Sequence, residues 1–198
     1  YANRVVNDAL LTAVSGKIGP VHINVQLSEP LGALQDDCDD KHDRMFNRVI
    51  KMIKPLPQLA TSQSESLAQN IASSQKVMII AGFMPPNEEL NTTLELLSRL
   101  PNIVVLTETI ANLQGEHFVT SIDATLSSIS ENDVSEMVPD IVISTGGALV
   151  SRHIKQFIRS HQVKEHWHVG EIEDTVDCFM QLTMRIEINP EVFFSQIA

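Results

Sequence analysis

The 198-residue chain has room for one main hydrophobic core. Its 43% apolar and 20% charged residues are ordinary globular usage and exclude a disordered chain. A formal net charge of −11 disfavours nucleic acid and anionic lipid as partners, and no apolar run nears the roughly 20 residues of a membrane span.

The first residues lack the basic-then-apolar build of a signal peptide, so the expectation is a soluble, cytoplasmic protein. Cys38 and Cys178 stand far apart without C-x-x-C spacing, which indicates neither a disulfide framework nor a structural zinc site.

Val5, Val6, Ala9, Leu10, Ala13 and Val14 fall on one helix face, with Gly16 as a stop. After Gly19-Pro20, the alternation of Val21, Ile23, Val25 and Leu27 with polar residues predicts a strand. One helix and one strand make no sheet, so residues 1–30 read as the end of a preceding domain. Residues 31–60 carry an acidic cluster (Asp36, Asp37, Asp39, Asp40) and the stretch Lys54-Pro55-Leu56-Pro57. They read as an interdomain linker whose carboxylates face water.

From residue 61 to 198, helix and strand signals alternate. Ser62-Gln63-Ser64-Glu65 fits a capping box ahead of Leu67, Ala68, Ile71 and Ala72. Three short apolar runs, 77–81, 103–106 and 141–143, predict central parallel strands covered on both sides. Between the first two, Asn87 with Glu88 and Glu89 opens a helix striped by Leu90, Leu94 and Leu97 and ended by Pro101. Val150, Ile154, Phe157 and Ile158 stripe a later helix. Residues 166–169 and 184–188 alternate as strands, and Asn189-Pro190 opens a closing helix with Val192, Phe193 and Ile197. The expected fold is α/β, a doubly wound, Rossmann-like parallel sheet with helices on both faces.

A dinucleotide site needs glycines where strand turns into helix. Ala81-Gly82-Phe83-Met84-Pro85-Pro86 puts prolines there instead. Ser144-Thr145-Gly146-Gly147 is glycine-rich without the G-x-G-x-x-G spacing, and reads as a sharp turn ahead of a phosphate or carboxylate cradle. Arg152 follows it at the positive end of a helix, a placement that a nearby anion would explain. With Lys155 and Arg159 it also makes an ordinary solvated basic stripe. His166 and His168 share a strand face and would ligate a metal given a third ligand from His161, Glu165 or Glu171. No spacing fixes that ligand, so they read as surface or interface imidazoles. No Ser-His-Asp order, paired carboxylates or P-loop stands out.

Gly19-Pro20-Val21-His22-Ile23-Asn24-Val25 with Glu29-Pro30-Leu31 resembles the end of the pyrimidine-binding domain of thiamine-diphosphate-dependent enzymes. Residues 147–157 (GALVSRHIKQF), then 165–169 (EHWHV) and Ile172-Glu173-Asp174, resemble the middle domain of the menaquinone-pathway synthase family that makes 2-succinyl-5-enolpyruvyl-6-hydroxy-3-cyclohexene-1-carboxylate. The resemblance implies a parent enzyme that decarboxylates 2-oxoglutarate on thiamine diphosphate with magnesium, adds the succinyl unit to isochorismate, and builds its site between two subunits. It also implies that the catalytic and cofactor residues lie outside this chain, which serves as an inactive central scaffold with no cofactor, metal or catalytic residue of its own. Family members carry two adjacent basic residues facing the substrate cleft where Arg152 and His153 stand, and some have an arginine at the position of Gln114, near Asn112. In acetolactate-synthase-like relatives this domain binds a flavin or nucleotide, which is the alternative reading. A purely structural interaction domain is a third.

Overall fold

The computed structural model describes residues 2–15, 19–26, 49–52, 57–130, 132–170 and 177–198. Two compact units result, Tyr1–Pro55 and Leu56–Ala198. In the first, helix α1 (Ala2–Ala13) forms as its spacing predicts. Asn7 is its buried residue and accepts the Ile50 amide at 2.8 Å through its side-chain oxygen. The apolar stripe is exposed at Val6, Leu10 and Val14. The strand predicted from Val21 does not form: residues 21–26 pair with no strand among the described residues, and they are exposed throughout. A strand is stable only against a partner, and the described part of this unit supplies none. Gly16, Leu27, Glu29, Pro30, Leu31, the acidic cluster, Cys38 and Lys54-Pro55 lie outside the described residues.

The second unit is the α/β fold expected. Helix α2 (Thr61–Ser73) leads into β1 (Val77–Ala81), α3 (Glu88–Leu97), β2 (Ile103–Thr107), a 3-10 turn (Thr109–Ala111) and β3 (Phe118–Val119). Then come α4 (Ile122–Ser128), α5 (Val134–Met137), β4 (Ile141–Thr145), α6 (Arg152–Ser160), β5 (Glu165–Val169), β6 (Met184–Ile186) and α7 (Pro190–Ile197). All pairings are parallel, in the order β3-β2-β1-β4-β5-β6.

Strand alternation sorts the core into two layers. Val77, Ile79, Ile141, Ile143, Trp167 and Val169 pack against α2, α3 and α7, whose stripes are Leu67 and Ile71, then Leu90, Leu94 and Leu97, then Phe193 and Phe194. Met78, Ile80, Leu106 and Val142 face the other way, against Ile122 of α4 and Ile154 and Ile158 of α6.

Several local expectations shift. The first cap is Ala60 rather than Ser62, and it is Gln63, not Glu65, that reaches back to the cap amide, at 3.2 Å. Asn87 caps α3 as expected, accepting the Leu90 amide at 3.0 Å, but that helix stops at Ser98, before Pro101. Val150 precedes α6 and is 69% exposed, because the Ser151 cap starts the helix after it. Ile188 lies beyond the end of β6.

The order reverses between β1 and β4, and in open parallel sheets ligands enter the crevice at such a point. Here the two loops close it. Gly82 donates to the Thr145 carbonyl (2.9 Å), Gly147 to that of Phe83 (2.7 Å) and Phe83 to that of Ala148 (3.2 Å). The approach is so close that a Cβ on Gly82 would lie 2.4 Å from the Gly147 oxygen. Gly146 turns the chain with φ +77°, a conformation glycine adopts without steric cost.

Candidate functional site

The start of α6 stands at this carboxyl edge of the sheet. Ser151 is its cap: the hydroxyl oxygen accepts the Ile154 amide at 3.2 Å. The amides just ahead of the helix meet a carboxylate from the end of β2. Both oxygens of Glu108 accept the Val150 N–H, at 2.9 and 2.8 Å, and Oε1 also accepts that of Ser151, at 2.6 Å. A second carboxylate, Asp123 in the first turn of α4, accepts the Ser151 hydroxyl and lies 3.3 Å from Nδ1 of His153. These contacts hold the Asp123 carboxyl below its ordinary value; the Ser151 hydrogen bond contributes most, burial opposes it, and His153 adds to the lowering. Glu108, Thr109, Ser121, Asp123, Val150 and Ser151 line an open cleft of about 380 Å³ beside them.

Arg152 and His153 thus stand together, exposed, at the head of α6. His153 pairs with Asp123, whereas Arg152 makes no ion pair among the described residues. The rest of the basic stripe binds backbone: Lys155 Nζ donates to the Leu149 carbonyl at 2.7 Å and Arg159 Nε to that of Cys178 at 2.8 Å. Asn112 has a left-handed backbone (φ 54°), and its amide donates to the Met84 carbonyl at 2.7 Å, fastening the loop after β2 to the loop after β1. Gln114 is exposed; its main chain is gripped on both sides by Asn91, at 2.8 and 2.9 Å.

The histidines of β5 are neither surface nor interface groups. His166 is 1% and His168 8% exposed, since this strand is covered on both faces and Ser144 of β4 offers them a partner. The Ser144 Oγ lies 2.8 Å from His166 Nε2 and 3.0 Å from His168 Nδ1. One hydroxyl proton serves only one imidazole, so the other ring must donate to the serine oxygen. Among the described residues Nδ1 of His166 has no hydrogen-bond partner, and it lies 3.8 Å from the Asp177 carboxylate. Burial pushes His166 down to about 4, opposed by Asp177 and aided by His168. His168 is lowered too, by burial and then by Arg185.

Ser144, His166 and Asp177 follow each other as in a hydrolytic triad, an order the sequence reading did not find. A nucleophile must be reached by substrate, and a serine only 8% exposed and shared between two imidazoles is a structural link instead. His161 donates its Nδ1–H to the Phe157 carbonyl of the preceding helix at 2.7 Å, and Glu165 accepts the Trp167 indole N–H at 2.6 Å. Glu171, Ile172, Glu173 and Asp174 lie outside the described residues. Glu108, Asp123 and Ser151 were also missed from the sequence; only the serine, three residues before the stripe residue Ile154, carries a local signal.

Among the described residues no three His, Cys, Asp or Glu side chains gather to hold a metal, and no helix is long and apolar enough to cross a membrane. At the switch point the loops after β1 and β4 are hydrogen-bonded to each other through main chain.

The family model described as the middle domain of thiamine pyrophosphate matches residues 49–197. Among curated proteins, the 2-succinyl-5-enolpyruvyl-6-hydroxy-3-cyclohexene-1-carboxylate synthase of Porphyromonas gingivalis is 30% identical across 100% of this chain and 33% of its own length. Synthases of the same name from Bacteroides thetaiotaomicron (36% identical; 100% of this chain, 35% of theirs) and Cytophaga hutchinsonii (34%; 98% and 33%) align similarly. The chain spans about a third of the length of these relatives. It belongs to the middle-domain family of thiamine pyrophosphate enzymes, in the form carried by the 2-succinyl-5-enolpyruvyl-6-hydroxy-3-cyclohexene-1-carboxylate synthases.

Proposed function

We propose that the chain is the central scaffold domain of a thiamine-diphosphate-dependent synthase of menaquinone biosynthesis, with Arg152 and His153 presenting positive charge to a carboxylate substrate. The parent decarboxylates 2-oxoglutarate and adds the succinyl unit to isochorismate in the cytoplasm. Residues 1–30 complete its pyrimidine-binding domain, 31–60 link, and 61–198 form the scaffold. Thiamine diphosphate supplies the means of stabilising charge after carbon dioxide leaves; with magnesium it is held by other parts of the parent and by a second subunit. This chain alone is therefore inactive.

The observation that carries the reading is the exposed guanidinium of Arg152 at the head of α6, at the carboxyl edge of the sheet, with its neighbours on both sides tied down. Both substrates carry carboxylates, and a guanidinium forks onto them. Asn112 and Gln114 are lesser contacts, since the Asn112 amide is already engaged with Met84. The nucleotide- or flavin-binding alternative loses support from the main-chain hydrogen bonds that fill the switch point.

The test is turnover by the full-length parent with thiamine diphosphate and magnesium. Consumption of 2-oxoglutarate that depends on isochorismate is the expected result; turnover of pyruvate alone would sink the assignment. In that assay Arg152→Ala raises KM for one carboxylate substrate about tenfold, whereas an unchanged KM removes Arg152 from the site.

A further inference from the structure

The head of α6 is built in an unusual way for a site meant to receive an anion. Free amides at a helix start are themselves an anion-binding device, and a cation there is disfavoured by the dipole. In this protein the two amides just ahead of the helix and that of Ile154 are already occupied. Glu108, fixed at the junction of β2 and the 3-10 turn by the Ala111 N–H that donates to its carbonyl at 2.9 Å, reaches across 42 residues of sequence. Its two oxygens take the amides of Val150 and Ser151. Asp123 then holds the Ser151 hydroxyl and His153. Residues 150, 151 and 153 are each anchored to a carboxylate, and Arg152 between them makes no ion pair among the described residues.

We infer that Glu108 is a positioning residue for the substrate-facing cation: it takes the place of the anion at the helix head and fixes the backbone from which Arg152 projects. The inference rests on the reading of Arg152 as a substrate contact. It gives Glu108 two tasks. Its charge offsets the dipole that opposes a cation at the first helical position. Its forked acceptance of two successive amides sets the direction in which the guanidinium leaves the helix, without drawing that guanidinium into an ion pair of its own. A substrate carboxylate arriving at this edge then meets a guanidinium beside amides of residues 150 and 151 that Glu108 has already taken.

The test uses the full-length enzyme and compares Glu108→Ala, Arg152→Ala and the double variant. Glu108→Ala raises KM for the same carboxylate substrate as Arg152→Ala, by about 3- to 10-fold, while kcat stays within about twofold. In the Arg152→Ala background the Glu108 substitution adds nothing to KM, because the group it positions is gone. Glu108→Gln, which keeps one acceptor oxygen, gives an intermediate KM and serves as the readout should the alanine variant fail to fold. A KM that responds to Arg152→Ala but not to either Glu108 variant overturns the positioning role alone. Additive effects in the double variant, or a fall in kcat with no change in KM, reduce Glu108 to a purely structural cap and also overturn it. An unchanged KM in Arg152→Ala removes the foundation of both readings.

Discussion

The two faces of the sheet are made by alternate residues of the same strands, yet they differ in kind. The face under α2, α3 and α7 is the drier: Trp167, Phe193, Phe194 and Leu94 are fully buried there, and its buried threonines, Thr107 and Thr145, stand at the ends of their strands. The face under α4, α5 and α6 includes Ser144, His166 and His168, and a half-open apolar cleft of about 310 Å³ among Met78, Val104, Leu106, Leu126 and Phe157. Its helices α4 and α5 are only 7 and 4 residues long. One layer is closely packed and mainly apolar, and the other tolerates gaps and polar groups while its helices α4 and α6 begin at the candidate site.

The sharpest way to break this contrast is to open the dry face. Trp167→Ala removes the largest fully buried side chain and should cost about 3–5 kcal/mol by chemical denaturation. A loss below about 1 kcal/mol would mean that the two layers share the load. Acid probes the other face. The unfolded chain protonates His166 near its ordinary 6.5, whereas the folded protein resists until about 4. The contribution is therefore complete above about pH 6.5 and is lost as pH falls to about 4, a total of about 3 kcal/mol. His168, lowered in the same direction, steepens this decline. His166→Leu should flatten the stability–pH profile over that interval; an unaltered slope would show that the ring does not titrate this way.

Smaller effects sharpen the contrast. Ser144→Ala leaves two buried imidazole nitrogens without their partner and should cost about 1–3 kcal/mol, with altered imidazole resonances in a nuclear magnetic resonance titration. Unmoved resonances would break the proposed link. Leu126→Ala, beside the half-open cleft, should cost about 1 kcal/mol or less, well short of Leu94→Ala on the dry face, because a side chain only partly buried has less contact to lose. Equal losses would show the cleft to be closed in solution.

The dry face was the legible one. Leu90, Leu94 and Leu97, or Phe193 and Ile197, announce their helices by spacing, and continuous runs such as Val77–Ala81 announce strands covered twice. The other face was read less well for stated reasons. β3 is two residues long, and α4 and α5 are too short to show a period, so that the stretch from Phe118 to Met137 gave no clear signal. His166 and His168 look outward in a polar–apolar alternation; only the position of Ser144 across the sheet accounts for their burial. Arg152 and His153 came from the family resemblance together with the helix start. Glu108 and Asp123 act across 42 and 28 residues, and no local pattern encodes a hydrogen bond of that span.

The loop pair that seals the middle of the sheet has a mechanical consequence. Residues 145–148 are stitched to residues 82–83, so the chain arriving at Arg152 is secured to the centre of the sheet and, through Glu108, to its neighbouring strand. The backbone beneath the guanidinium is therefore held, and the freedom left to that group is the rotation of its own side-chain torsions. Its reach from the sheet edge is then set by the length of that side chain rather than by a loop that opens and shuts.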